Sequence, residues 1–437
     1  MAGAVRSFAV AMAVSLAAMT SAWAQDSNQD LKKEVDELKK KVAALESTEK
    51  ASPAPVAISA GAKESENLMD DLNKWMKEVK LSGFVDSGYT FNFARPDNRL
   101  NGNTGLPAPY ATIPPTTGSS VRAFDKQSNA FVLNNAQLTL EKAATDKSIA
   151  GFKMDISMGK DADVFGAAGS GLGDNFDIQE GYVTVLAPIG RGISFSLGKF
   201  ATLAGAEVIE SKDDMNYSRS LMFFYAIPFT HTGIRANYSV TDQVDVTLGI
   251  NNGWDTLTDN NDSKTLEFEV NYKPNDMLKF TGNMYWGAEK NPVAGPNGPT
   301  QPGDKRFLVD FVAQLTIDKF SAVLNWDYGS EKDSFTSGSG KLKKAEWTGM
   351  ALYAKYQLQP WYAPILRAEY FRDGQAYRTG TKQTLEEFTF TNQFDLAGNL
   401  ILRAEIRLDK SSEDVFLNHE RSKGSETTFG LEAIVYF

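Results

Sequence analysis

The sequence predicts an all-β transmembrane fold: an antiparallel outer-membrane β-barrel of about 16 strands with a short N-terminal periplasmic α-helical coiled-coil segment. Three observations carry this expectation. Apolar and polar residues alternate from Leu81 to the last residue, short turns alternate with long polar loops, and the N-terminus is built for export.

Export comes first along the chain. Arg6 precedes an apolar run from Phe8 to Met19, and Ala22-Trp23-Ala24 offers a small-x-small cleavage site before Gln25. That run is too short for a membrane-spanning helix, which needs about 20 residues, so residues 1–24 read as a signal peptide. The 437-residue chain has no cysteine, which removes disulfides, thiol nucleophiles and thiolate metal sites from consideration. Its net charge of -10 includes no basic stripe, so nucleic acid is not an expected partner.

Residues 25–50 carry Leu31, Val35, Leu38, Val42 and Leu45 at alternating spacings of four and three, an a/d heptad seam. Two heptads fit both an oligomerising stalk, with a homotrimer expected, and a single solvated helix. Residues 51–63 contain Pro53 and Pro55 among small residues and read as a linker. In residues 64–80, Leu68, Leu72, Trp75, Met76 and Val79 share one helical face, suited to the mouth of a barrel or to a membrane surface.

Residues 81–437 form the barrel by this reading. Phe152, Met154, Ile156 and Met158 alternate with Lys153, Asp155 and Ser157; Leu400, Leu402, Ala404, Ile406 and Leu408 alternate with Arg403, Glu405, Arg407 and Asp409. A sheet with charges on one face and apolar groups on the other has two different solvents. A mean hydropathy typical of soluble proteins does not oppose this, because only every second side chain meets lipid. Long loops near 95–129, 161–175, 202–230, 255–262, 289–304, 332–344, 374–383 and 411–425 alternate with short turns, which places both chain ends on the periplasmic side. At this size the lumen is an aqueous channel. Tyr89, Phe91, Phe93, Trp254, Tyr285, Trp286, Trp326, Tyr328, Trp347, Trp361 and Tyr362 fall near strand ends and are expected as rim aromatics. The final strand, with Phe429, Leu431, Val435 and Phe437, looks like the signal read by the outer-membrane insertion machinery.

Gly83-Phe84-Val85-Asp86, Arg122, Phe124-Asp125, Asn129, Phe131-Val132-Leu133-Asn134 and Leu140-Glu141-Lys142 resemble the OmpL-like β-barrel porin family. The resemblance continues through Gly198-Lys199-Phe200-Ala201-Thr202, Glu207, Asn216-Tyr217-Ser218-Arg219-Ser220, Pro228 and His231-Thr232-Gly233. It implies passive diffusion of small hydrophilic solutes or ions through a barrel in the bacterial outer membrane.

The loop from Thr202 to Thr230 holds Glu207, Glu210, Asp213, Asp214 and Arg219 before the apolar run Leu221–Phe229. A loop this long with an apolar half is expected to fold into the lumen and form the constriction, its acids facing a basic, pore-lining wall at Arg235, Arg367, Arg403 and Arg407. Lys199 shares the parity of lipid-facing Ile193, Phe195 and Leu197, so it either snorkels at the rim or is turned inward by a bulge near Gly198.

The expected partners are outer-membrane lipid, the insertion machinery and small hydrophilic solutes; no cofactor and no metal is expected. Two alternatives remain. One is a structural barrel tethering the outer membrane through its coiled coil, and the other is a barrel hydrolase built on His231 or His419, for which no nucleophile elbow is present.

Overall fold

The computed structural model describes residue 40 and residues 78–96, 122–167, 174–291, 293–295, 298–300, 304–336, 342–419 and 421–437. The expected signal peptide (1–24), coiled coil (25–50, apart from the exposed, helical Lys40), linker (51–63) and most of the 64–80 helix lie outside the described residues.

Sixteen strands close into one antiparallel barrel, each paired with its neighbours in sequence. They are β1 (Lys80–Asn92), β2 (Ala130–Lys142), β3 (Ala150–Met158), β4 (Phe176–Ala187), β5 (Ile193–Ala201), β6 (Thr230–Ser239), β7 (Val244–Asn251) and β8 (Thr265–Tyr272). The circuit continues through β9 (Leu278–Gly287), β10 (Arg306–Ile317), β11 (Phe320–Thr336), β12 (Leu342–Tyr356), β13 (Tyr362–Asp373), β14 (Gln383–Leu396), β15 (Leu400–Ser411) and β16 (Ser425–Tyr436). The expected loop at 332–344 is shorter than read from the sequence, because β11 and β12 extend their pairing to Thr336↔Leu342.

Closure depends on the last strand. β16 pairs with β1 from Phe84↔Tyr436 to Asn92↔Thr428, and Phe437 exchanges backbone hydrogen bonds with Gly83 at 3.0 and 3.2 Å. Within the barrel sheet every described strand is paired on both edges, which is the condition for crossing lipid with β-structure. Leu431, Val435 and Phe437 point outward and are exposed, while Phe429 on the same face is half-buried.

Parity sorts the rest of the wall. Val183, Leu197, Ile234, Leu248, Leu352, Phe388, Ile406 and Leu408 are among the large apolar side chains left exposed. An apolar band of that extent would be an aggregation surface in water and suits a bilayer. The inward positions carry the charges: Asp155, Glu267, Glu269, Arg367, Arg403, Glu405 and Arg407 are all buried.

Two register shifts matter for what faces inward. Between Asp155 and Ile156, β3 meets an extra residue of β4, Gln179, so that Glu180 lies opposite Asp155 while Ile178 lies opposite Ile156. A similar shift between Asp86 and Ser87 places Asn134, unmatched on β2, where its amide donates to Asp86 at 2.9 Å.

A lumen crossed by the 202–229 loop

Residues 202–229 leave β5 and run inside the barrel along its far wall before returning to β6. Tyr285 on β9 fixes the start, its hydroxyl accepting from Leu203 N at 3.1 Å, and Asn283 donates to Leu203 O at 3.0 Å. Ala206 N then donates to Asn325 Oδ1 on β11 at 3.2 Å. Further on, Asn216 donates to Thr391 on β14 at 2.8 Å, and Tyr217 shares a 3.1 Å hydrogen bond with Thr90 on β1. A single loop therefore touches β1, β9, β11 and β14.

Three wall arginines hold the loop by its carbonyls. Arg367 on β13 donates to Ser218 O at 2.6 Å and to Glu207 Oε1 at 2.9 Å, while also reaching Glu387 at 3.1 Å and Glu369 at 3.2 Å. Arg403 on β15 donates to Ser211 O at 3.0 Å and to the Asp214 carbonyl, with Glu432 as its carboxylate partner at 2.8 Å. Arg407 donates to Arg219 O at 2.7 Å and forks onto Asp409. A planar guanidinium can serve a carbonyl and a carboxylate at once, which an ammonium cannot do in fixed geometry. These three residues were expected to line the pore; their guanidiniums are instead sealed beneath the loop, none more than 2 % exposed.

The loop's own acids divide by role. Glu207 is buried, accepting from Arg367, Tyr353 and Ser220 N. Asp214 is buried, accepts from Val208 N at 2.9 Å and pairs with Arg219, which donates in turn to the carbonyls of Val208 and Ile209. Asp213 is exposed beside Lys212 at 2.5 Å. Glu210 is one-fifth exposed and lies 3.9 Å from Lys153 on β3.

An aromatic cluster seals the inner face of the loop. α1 (Lys160–Phe165) brings Phe165 to Phe124 and Phe229 at 5.3 and 5.5 Å. α2 (Leu221–Tyr225) begins where the Ser220 hydroxyl caps Phe223 N at 2.9 Å, and it packs Phe223 on Phe229 at 5.2 Å. The Arg219 guanidinium lies over Phe124 and Phe223 at 5.6 and 5.1 Å. Several residues that carried the family resemblance, Phe124, Glu207, Tyr217, Ser218 and Arg219, thus meet in this one interior assembly.

Three expected rim aromatics belong to it as well. Trp254, Tyr285 and Trp347 are each at most 5 % exposed, and Trp347 Nε1 donates to Ala226 O at 3.1 Å. Their positions near strand ends suggested the rim; Tyr285 and Trp347 share the inward parity of Asn283 and Tyr353, and Trp254 lies in the loop between β7 and β8. Trp286, Trp326 and Trp361 are exposed. His231 is also interior, stacked on Tyr285 at 5.0 Å with Nδ1 at 2.9 Å from Gly253 O. Lys199 is buried too, donating to Asp177 and to Ile178 O at 2.7 Å each, opposite Gly181 and next to Gly198 with its positive φ.

One group of the assembly is sensitive to pH. Burial, reinforced by Asp86 and Asp125, pushes the Asp161 carboxyl on α1 up to about 7. An acid whose folded-state value lies above its unfolded value of roughly 3.9 costs nothing below that value. The cost grows as pH rises and is complete above about 7. After correction for the intrinsic exchange rate at each pH, the protection of residues 160–165 against hydrogen exchange should therefore fall between pH 5 and 8 in the parent and not in Asp161→Asn. An equal fall in both would assign the effect to another group.

Between residues 201–210 and the wall of β3–β6 remains a cavity of about 330 Å³, bordered by Lys153, Glu180, Tyr182, Phe200, Glu210 and Arg235. Lys153 bonds Glu180 and lies 3.0 Å from Asp155. Arg235 forks onto Glu267 with two bonds of 2.7 Å and donates to Ala201 O, its guanidinium 3.8 Å from the Phe200 ring centroid. Glu180 was not singled out from the sequence, because the bulge at Gln179 breaks the alternation that would have placed it inward.

The family model described as "Putative beta-barrel porin-2, OmpL-like" matches residues 78–437, all sixteen strands included. The chain belongs to this porin family. It is a bacterial outer-membrane protein, and its function is that of a porin channel. Solved structures share the fold at low identity. The outer-membrane channel DcaP of Acinetobacter baumannii is 12% identical, with a TM-score of 0.53 over 82% of this chain and 97% of its own. An anion-selective porin from Comamonas acidovorans is 11% identical, with a TM-score of 0.53 over 82% of this chain and 99% of its own. A trimer form of OmpT from Vibrio cholerae is 11% identical, with a TM-score of 0.51 over 82% and 99%. No curated protein matches this porin.

Proposed function

We propose that small hydrophilic solutes and ions diffuse through this porin along the β3–β6 wall, with the 202–229 loop as a fixed partition that narrows the lumen. The observation that carries this reading is the set of buried guanidiniums on β13 and β15 that donate to the loop's carbonyls. A loop held by neutralised, hydrogen-bonded charges in a low-dielectric setting is fixed in position. By this reading Arg367, Arg403 and Arg407 are anchors, Glu207, Asp214 and Arg219 hold the loop's shape, and Glu210 with Arg235 borders the path. Asp213 is a solvated loop residue.

The N-terminal segment is proposed to be periplasmic, following a cleaved signal peptide, with its heptads joining three copies; the trimeric form of the OmpT structure is in keeping with that assembly. The last strand, ending at Phe437, is proposed as the insertion signal. A channel function is favoured over hydrolysis: His231 spends Nδ1 on a backbone carbonyl and its ring on Tyr285, an arrangement suited to packing.

Purified protein added to a planar bilayer should give discrete conductance steps. A protein that inserts, shown by its heat-modifiable mobility, but passes no current would overturn the reading and favour a structural tether.

A further inference from the structure

We infer that the path along β3–β6 favours cations over anions, with Glu210 the loop residue that sets this preference. The inference rests on the pore route proposed above and adds its substrate class: cationic and neutral hydrophilic solutes.

The charges bordering the cavity do not cancel. Each basic group there is already matched by a wall carboxylate, Lys153 by Glu180 and Arg235 by Glu267. Asp155 and Glu210 are left in excess around a single ammonium, at 3.0 and 3.9 Å from Lys153 Nζ. Asp155 Oδ1 is fully buried with no hydrogen-bond partner among the described residues, so its charge is not dispersed into the wall. Glu269, next inward on β8, accepts its hydrogen bonds from Thr247 and Asn271, which are neutral.

The other three arginines expected on the pore wall are taken up elsewhere, and Lys279 on β9 stands beside Glu269, away from Asp155 and Glu210 on the cavity side. Arg367, Arg403 and Arg407 are buried under the loop with carboxylate partners of their own. A net negative charge beside a narrow, low-dielectric wall concentrates cations and repels anions. Glu210 is the member of the set that is both partly exposed and carried by the partition itself. It acts through the local potential, and nothing in the geometry requires it to bind a solute.

The test is the reversal potential of the full-length mature protein in a planar bilayer under a KCl gradient. Near 0.1 M salt, where the Debye length is ~10 Å, the potential should have the sign of potassium permeation, with K⁺ favoured several-fold over Cl⁻. Near 1 M the preference should largely vanish, because the Debye length falls to ~3 Å. This salt dependence is read on the parent and needs no variant. Glu210→Gln should lower the low-salt permeability ratio by at least half while leaving the high-salt value unchanged. A conducting channel with anion preference, or a Glu210→Gln channel with the parent's ratio at low salt, overturns the inference and leaves the porin reading intact. An inserted protein that passes no current removes both.

Discussion

Arg367→Ala is expected to free the 202–229 loop from the wall and produce a wider, noisier channel. The substitution removes donors to Ser218 O, Ser218 Oγ and Glu207, and it strips Glu369 and Glu387 of their nearest guanidinium. Deleting one partner of a buried ion pair costs about 3–5 kcal/mol, because the remaining charges stay buried without compensation. The loop is the part that can yield, since the strands are held by their own ladders. Its release should appear as protease cleavage within residues 202–229 and as larger, fluctuating conductance. Arg367→Lys restores the charge without the planar fork and should recover only part of the effect. An Arg367→Ala channel with parental conductance and an uncleaved loop would mean that the arginine does not hold the partition.

The second large effect comes from two glycines that make room for one tyrosine. Gly88 on β1 and Gly430 on β16 both face the Tyr217 ring, and a Cβ at either position would collide with it. Gly430→Val should therefore push Tyr217 off Thr90 and disturb the neighbouring Ser218, whose amide donates to Glu405. Overpacking of this kind costs roughly 1–3 kcal/mol. The loop should become more sensitive to protease, and Gly430→Val combined with Tyr217→Ala should regain much of the lost protection, because the colliding ring is gone. If the double variant is as sensitive as the single one, the glycine serves the strand and not the loop.

Much of this architecture was legible in the amino-acid order. Strand number follows from a side-chain period of two and from turns that alternate in length, both local properties that a bilayer makes strict. The long loop was legible from its length and from the apolar run at Leu221–Phe229. What lay beyond local pattern was the path of that loop. Arg367, Arg403 and Arg407 could be placed inward by parity, but whether an inward arginine meets water or a carbonyl depends on which loop residues lie over it. Ser211, Asp214, Ser218 and Arg219 present those carbonyls as backbone, and backbone leaves no mark in composition. Trp254, Tyr285 and Trp347 were misplaced for a related reason: nearness to a strand end suits both a membrane rim and a plug of loops beneath it. Glu180 was hidden by a single bulge, which reverses parity without changing composition.

The central claim is that residues 202–229 form a fixed partition inside the lumen, and single-channel conductance of a variant lacking Lys212–Ser220 tests it most directly. That deletion removes Tyr217, Ser218 and Arg219 while leaving all sixteen strands in place. It should fold as a heat-modifiable barrel and conduct in larger steps than the parent, because the segment that crosses to β1 and β13–β15 is gone. A correctly folded deletion variant with the parent's conductance would contradict the account, placing the loop outside the permeation path and the narrow point elsewhere in the chain.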